Sequence, residues 1–284
     1  MILKFYFFKM KICYKIVLFL IIGFQISCNK PKAEVKSIAN SNAKLIKEVK
    51  VETTENKIDT YSFPVDSLLK VNILWTGVFH GDEVDPNLQK KIWFGLFKNG
   101  NNYSFSKTAI SINHVHDVVI DEDESEKTGW EVNTTIKDTC VILVEKLPGF
   151  ADKSVDFVQM PTYVFPKEDF DFEFLGTKYK LSATGEKKKE HADSNWWVVS
   201  DYKLYLTTFV DGKEVTTLLT AKRNFDDQMI KIVFAGDLDG DGKLDLILDT
   251  ANHYNVSSLT LYLSKSADKN KVIKPVGIFT FVGC

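Results

Sequence analysis

Trp196-Trp-Val-Val-Ser-Asp-Tyr-Lys-Leu-Tyr-Leu-Thr-Thr-Phe-Val210, then Asp211-Gly212, then Lys213-Glu-Val-Thr-Thr-Leu-Leu219 is a pair of apolar, β-branched runs joined by two residues. Asp-Gly at such a junction signals a β-hairpin, because a type I′ turn needs positive φ at both central positions and these residues tolerate it. Val, Thr, Tyr and Trp pack well on a pleated sheet, whereas β-branched side chains lose rotamer freedom in a helix. The stretch therefore predicts an antiparallel hairpin.

The same pattern extends in both directions. Phe170-Asp-Phe-Glu-Phe174 alternates with period two and is followed by Lys178-Tyr-Lys-Leu-Ser182. Residues 72–79, 91–97, 109–115 and 139–144 read as further strands, with a turn at Asn99-Gly-Asn-Asn102. Downstream, residues 229–234, 244–248 and 259–263 read likewise. Helical periodicity is weak, and residues 65–71 are the best short candidate. The expectation is an all-β, mainly antiparallel fold. The pattern loosens between Pro148 and Pro166, which suggests two packed β subdomains, 60–160 and 161–284. The globular part, some 225 residues, is long enough for one large or two small cores.

Between two of the downstream runs stands Asp237-Leu-Asp239-Gly-Asp241-Gly242-Lys243-Leu-Asp245. Calcium takes six to eight oxygens, and a short loop supplies them when ligands recur at alternate residues around a sharp bend. Asp237, Asp239 and Asp241 occupy the first, third and fifth positions, and Gly242 stands where the bend needs positive φ. The Lys243 carbonyl and the Asp245 carboxylate complete the expected set, with Asp249 as an outer partner. Leu248 stands where an EF-hand has its bidentate Glu, and strands rather than helices flank the loop. Four carboxylates in nine residues repel one another without a counter-ion, so calcium is the expected cofactor and its role structural.

The run Phe234-Ala-Gly236-Asp237-Leu-Asp239-Gly-Asp241-Gly242-Lys-Leu-Asp245-Leu-Ile-Leu, with the following strand at 259–263, resembles the FG-GAP/VCBS type of repeat. That likeness covers residues 234–264 and implies a structural calcium site in a β-propeller blade. A propeller needs several blades, and no second intact copy is present, so a single blade-like unit is expected. Asp121-Glu-Asp123-Glu-Ser125 has similar spacing without the glycine and reads as an acidic loop.

The first residues carry Lys4, Lys9, Lys11 and Lys15 and no acid, then a short apolar run, Ile16-Val-Leu-Phe-Leu-Ile-Ile-Gly-Phe24, then Gln25-Ile-Ser27-Cys28. This has the three regions of a secretory leader, and the run is too short to span a bilayer. The Cys after Ser27 makes it similar to a bacterial lipoprotein signal. That likeness implies a signal peptide of residues 1–27, acyl chains on Cys28 and, with Asn29 next, the outer membrane. Residues 28–59 are Lys-, Glu-, Asn- and Ser-rich and read as a flexible tether.

Removal of residues 1–27 takes away four lysines, leaving 32 basic against 38 acidic side chains, about −6. No basic stripe of the kind that recruits nucleic acid is present. Lys187-Lys-Lys189, between two glutamates, reads as a solvated turn. Cys140 and Cys284 are the cysteines left after processing. In an oxidising compartment they form either one bridge or two separate thiols.

Gly-x-Ser-x-Gly, P-loop and Rossmann glycine patterns are missing. The expected function is that of a non-catalytic, lipid-anchored envelope protein whose partner is an unknown protein or glycan. Two alternatives stay open. His114 and His116, with His80, suggest an envelope metal-dependent hydrolase. Adjacent Trp196 and Trp197 must face opposite ways in a strand, so one could stack on a sugar, which suggests a carbohydrate-binding lipoprotein.

Overall fold

In the computed structural model, which describes residues 61–194 and 197–283, the Asp211-Gly212 stretch is the expected hairpin. Asp211 and Gly212 have φ of 50° and 74°, the pair of positive values that a type I′ turn requires. The first half of the chain supplies β1 (Ile73–Leu74), β2 (Gly77–Phe79), β3 (Trp93–Asn99), β4 (Asn102–Thr108), β5 (Ile110–Val115), β6 (Gly129–Thr134), β7 (Thr139–Glu145) and β8 (Lys153–Ser154). The second half supplies β9 (Asp169–Phe174), β10 (Thr177–Lys189), β11 (Trp197–Val210), β12 (Lys213–Asn224), β13 (Lys231–Gly236), β14 (Asp245–Asp249), β15 (Val256–Leu263) and β16 (Lys274–Val282).

These strands form four sheets. Their orders are β1-β7-β3-β4-β8, β2-β6-β5, β12-β11-β10-β9 and β13-β14-β15-β16. All twelve ladders between them are antiparallel. The last two sheets are simple meanders, each strand pairing with its sequence neighbour. Among the described residues the only helical elements are two 3-10 turns, Asp66–Leu68 and Pro86–Lys90, so the helix candidate at 65–71 is reduced to one turn.

One local expectation is overturned. Lys187, Lys188 and Lys189 form the end of β10, not a turn, and pair with Val199, Val198 and Trp197. A bulge at Gly185 (φ 137°) lets the strand continue past the point where a Cβ would run into the Ser200 carbonyl. The ammonium groups find aromatic faces: Lys187 Nζ lies 3.7 Å from the Phe165 ring centre and 4.9 Å from that of Trp197. Local charge thus yields to the pairing of a long hairpin.

The buried side chains fall into two clusters, and the β13–β16 sheet contributes to both. Ile247, Leu259, Leu261 and Leu263 join the core built by the strands up to β8. Leu246, Leu248 and Tyr262 join the core under β9–β12. The division follows the period-two alternation of a strand, here with both faces apolar. Every residue of β14 is buried, its two carboxylates included. Burial of each Leu or Ile side chain contributes roughly 1.5–3 kcal/mol, so this short strand anchors two cores.

Candidate metal centre

The loop between β13 and β14 is held at both ends. Gly236 lies against the segment before it in space: the Asp237 amide donates to the Asp156 carbonyl at 3.0 Å, and a Cβ on Gly236 would strike that carbonyl. Leu238 enters the first core and Leu244 the second, each nearly inaccessible. Gly240 and Gly242 take φ of 79° and 77°, the left-handed values expected for a loop that must bend twice within five residues.

This scaffold brings Asp237, Asp239 and Asp245 together. All three are buried, and each offers a carboxylate oxygen within 4.8 Å of the others. Backbone amides supply part of the compensation. Asp237 accepts from Gly240 N at 2.6 Å and Gly242 N at 3.1 Å. Asp245 accepts from Leu238 N at 2.8 Å, Asp239 N at 3.2 Å and Ser264 N at 2.8 Å. Lys153, from β8, approaches Asp237 Oδ1 at 3.4 Å.

The compensation is incomplete at Asp239. Its Oδ1 accepts from Asp241 N at 3.2 Å, but Oδ2 is buried with no hydrogen-bond partner. A buried polar atom left in that condition costs about 1–3 kcal/mol, more when charged. Burial, and then the charges of Asp241 and Asp237, raise the Asp239 pKa. Asp245 is pushed up to about 8, first by burial and then by Asp239. Both shifts express one conflict: the negative charges are packed more tightly than the polypeptide alone neutralises. A group of buried carboxylates in this arrangement could hold a metal ion.

Asp241 and Lys243 border the trio, whereas Asp249 stands apart from it. Asp241 faces Ser264, whose Oγ lies 3.0 Å from both Asp241 oxygens and from Asp245 Oδ1. One hydroxyl proton cannot serve three acceptors, so this corner is also short of donors. Lys243 donates its amide to Asp241 Oδ1 at 2.9 Å. Asp249 is at the opposite end of β14, where it accepts from Ala251 N at 3.1 Å and Ser258 N at 2.8 Å. It closes a turn and takes no part in the loop. Ser264 and Lys153 are the site residues that spacing does not single out, because Ser264 follows the end of β15 and Lys153 lies in β8, with no local motif at either.

The three histidines do not converge. His80 Nδ1 is 2.6 Å from Asp117 Oδ2, the His114 ring stacks on Trp130 at 3.7 Å, and His116 lies 3.5 Å from Asp121. Among the described residues the aspartate trio is the one group of three acidic, His or Cys side chains placed to share an ion. Cys140 is buried in β7, where loss of solvent pushes its thiol up to about 12. Its proposed partner Cys284, the lipidation site Cys28 and the leader and tether lie outside the described residues. The chain matches no protein-family model, no curated protein and no solved structure.

Proposed function

We propose that this chain is a non-catalytic bacterial envelope protein, anchored by acyl chains on Cys28, whose β domain is clamped by one structural calcium ion and presents a binding surface to a partner. The orphaned Oδ2 of Asp239, beside the carboxylates of Asp237 and Asp245, carries the calcium part. A divalent ion there converts mutual repulsion into shared coordination. All the donors are oxygens, Asp237 and Asp239 on an irregular loop and Asp245 at the start of β14, which suits calcium's flexible six- to eightfold shell better than the strict octahedron of magnesium. The Lys243 carbonyl and waters would complete the shell.

The ion's role follows from where the loop sits. Leu238 and Leu244 plant it in two different cores, so neutralising it stiffens the junction on which both rest. The basic, apolar leader ending at Cys28 supports the anchor, and the outer membrane is the proposed location. From there residues 28–59 would tether the domain, reaching roughly 100 Å at full stretch.

Calorimetric titration of the mature chain with calcium and with magnesium tests the proposal. One calcium site with a dissociation constant of roughly 0.1–1 mM is expected, in the range of extracellular modules. Asp239→Asn, which keeps the shape and removes the charge, should abolish it. Absence of calcium binding in the wild-type chain would remove the basis for the proposed ion.

A further inference from the structure

Where β10 and β11 pass the segments around residues 163–165 and 225–229, the surface opens into a groove of about 270 Å³. Tyr163, Trp197, Phe225, Glu190, Asp227 and Gln228 are among the side chains that line it. Trp197 is 48 % exposed and Tyr163 39 % exposed. Half-exposed aromatic rings gathered around a concavity are the usual mark of a binding site on a monomer's surface.

The tryptophan is held before any ligand arrives. Lys187 Nζ sits against both the Phe165 and the Trp197 rings, with Lys189 Nζ 6.0 Å from the Trp197 ring centre. Glu168 holds Lys187 in turn, at 3.5 Å. An indole fixed by cation–π contact loses little rotamer freedom on binding, which lowers the cost of recognition.

Charge then selects the ligand. An organic cation stacking on Trp197 would be repelled by Lys187 and Lys189, whose ammonium groups already lie against that ring. An anion would meet Glu190 and Asp227 in the groove wall. A neutral ligand with one apolar face and a rim of hydroxyls meets neither obstacle: its C–H face stacks on the indole and its hydroxyls reach the two carboxylates and the Gln228 amide. Those three polar side chains enter no hydrogen bond or ion pair among the described residues, so they can turn to a ligand. The size falls just under the ~300–1,000 Å³ of drug-sized sites, which fits a single ring better than a long acyl chain.

We infer that this groove binds one sugar ring of a neutral glycan, with Trp197 as the stacking platform. The inference stands on the groove alone and is independent of the cation and of the anchor. Native gels cast with starch, laminarin, mannan or xyloglucan, and with polygalacturonate as the anionic comparison, test it. Retardation of the wild-type chain by at least one neutral polymer is expected, with affinity reduced at least tenfold in Trp197→Ala and partly kept in Trp197→Phe. Thermal melts of both variants should match the wild type, which separates loss of the platform from loss of the fold. No retardation by any neutral polymer, retardation that survives Trp197→Ala, or a preference for polygalacturonate would each overturn it. So would quenching of tryptophan fluorescence by choline with none by neutral oligosaccharides.

Discussion

Asp239 and His80 represent two ways in which a buried charge is accommodated in this chain. At Asp239 the neighbours are acids and one oxygen stays unpaired. At His80 the neighbour is Asp117, which also accepts from the amides of Val119 and Ile120. The hydrogen bond to Asp117 raises the His80 pKa above 6.5, and the same bond lowers that of Asp117 below 3.8. The signs set a window. The histidine's contribution is complete below its unfolded pKa and fades as pH rises through the raised folded value; the aspartate's is present above its unfolded pKa and fades as pH falls through the depressed one. With calcium present, the wild type should therefore exceed His80→Gln in melting temperature at pH 5.5 by more than it does at pH 8.5. A gap that is constant across that range would show that the pair is not charged in the folded state. The aspartate loop is legible in the sequence, because alternation and glycine are local properties. Ser264 was not legible: it reaches Asp241 and Asp245 only after β14 and β15 have folded back.

At the scale of elements, legibility followed the turn chemistry. Asp211-Gly212 announced β11–β12, whereas β9–β10 turns on Leu175-Gly176, with Leu175 at φ 47° in a region that leucine rarely adopts. β16 carries Pro275 and Gly277, which weaken a strand pattern. The glycine is required because residue 71 crosses there, with Lys70 N and Val71 N donating to the Val276 carbonyl. Residues 244–248 read as a strand in the sequence, but the service of β14 to two cores rests on tertiary packing alone. That service has a measurable consequence. Ile247→Ala opens a cavity in one core and Leu248→Ala in the other, each at a cost of about 2–5 kcal/mol. Both variants should still unfold in one transition, displaced to lower denaturant. Two separate transitions, with each substitution moving only one, would show that the cores are independent.

For the whole molecule, the all-β class and the antiparallel pairing were readable because strand alternation and turn residues recur throughout the chain. The arrangement in four sheets was not, since their order depends on long-range pairing such as β1 with β7 and β2 with β6. Radiolabelled palmitate should enter the wild-type chain, and Cys28→Ala should abolish labelling and release the protein from membranes; unchanged labelling in the variant would rule out lipid on Cys28. Thermal unfolding of the mature chain in excess calcium and in chelator decides whether calcium clamps the domain. An ion at a hundredfold excess over its dissociation constant stabilises the folded state by about 2.7 kcal/mol. For a domain of this size that corresponds to a melting temperature roughly 5–10 °C higher in calcium. That difference is expected in the wild type and is lost in Asp239→Asn, whose chelated form should itself melt above chelated wild type because one repelling charge is gone. Equal melting temperatures of the wild type in calcium and chelator would contradict the calcium clamp.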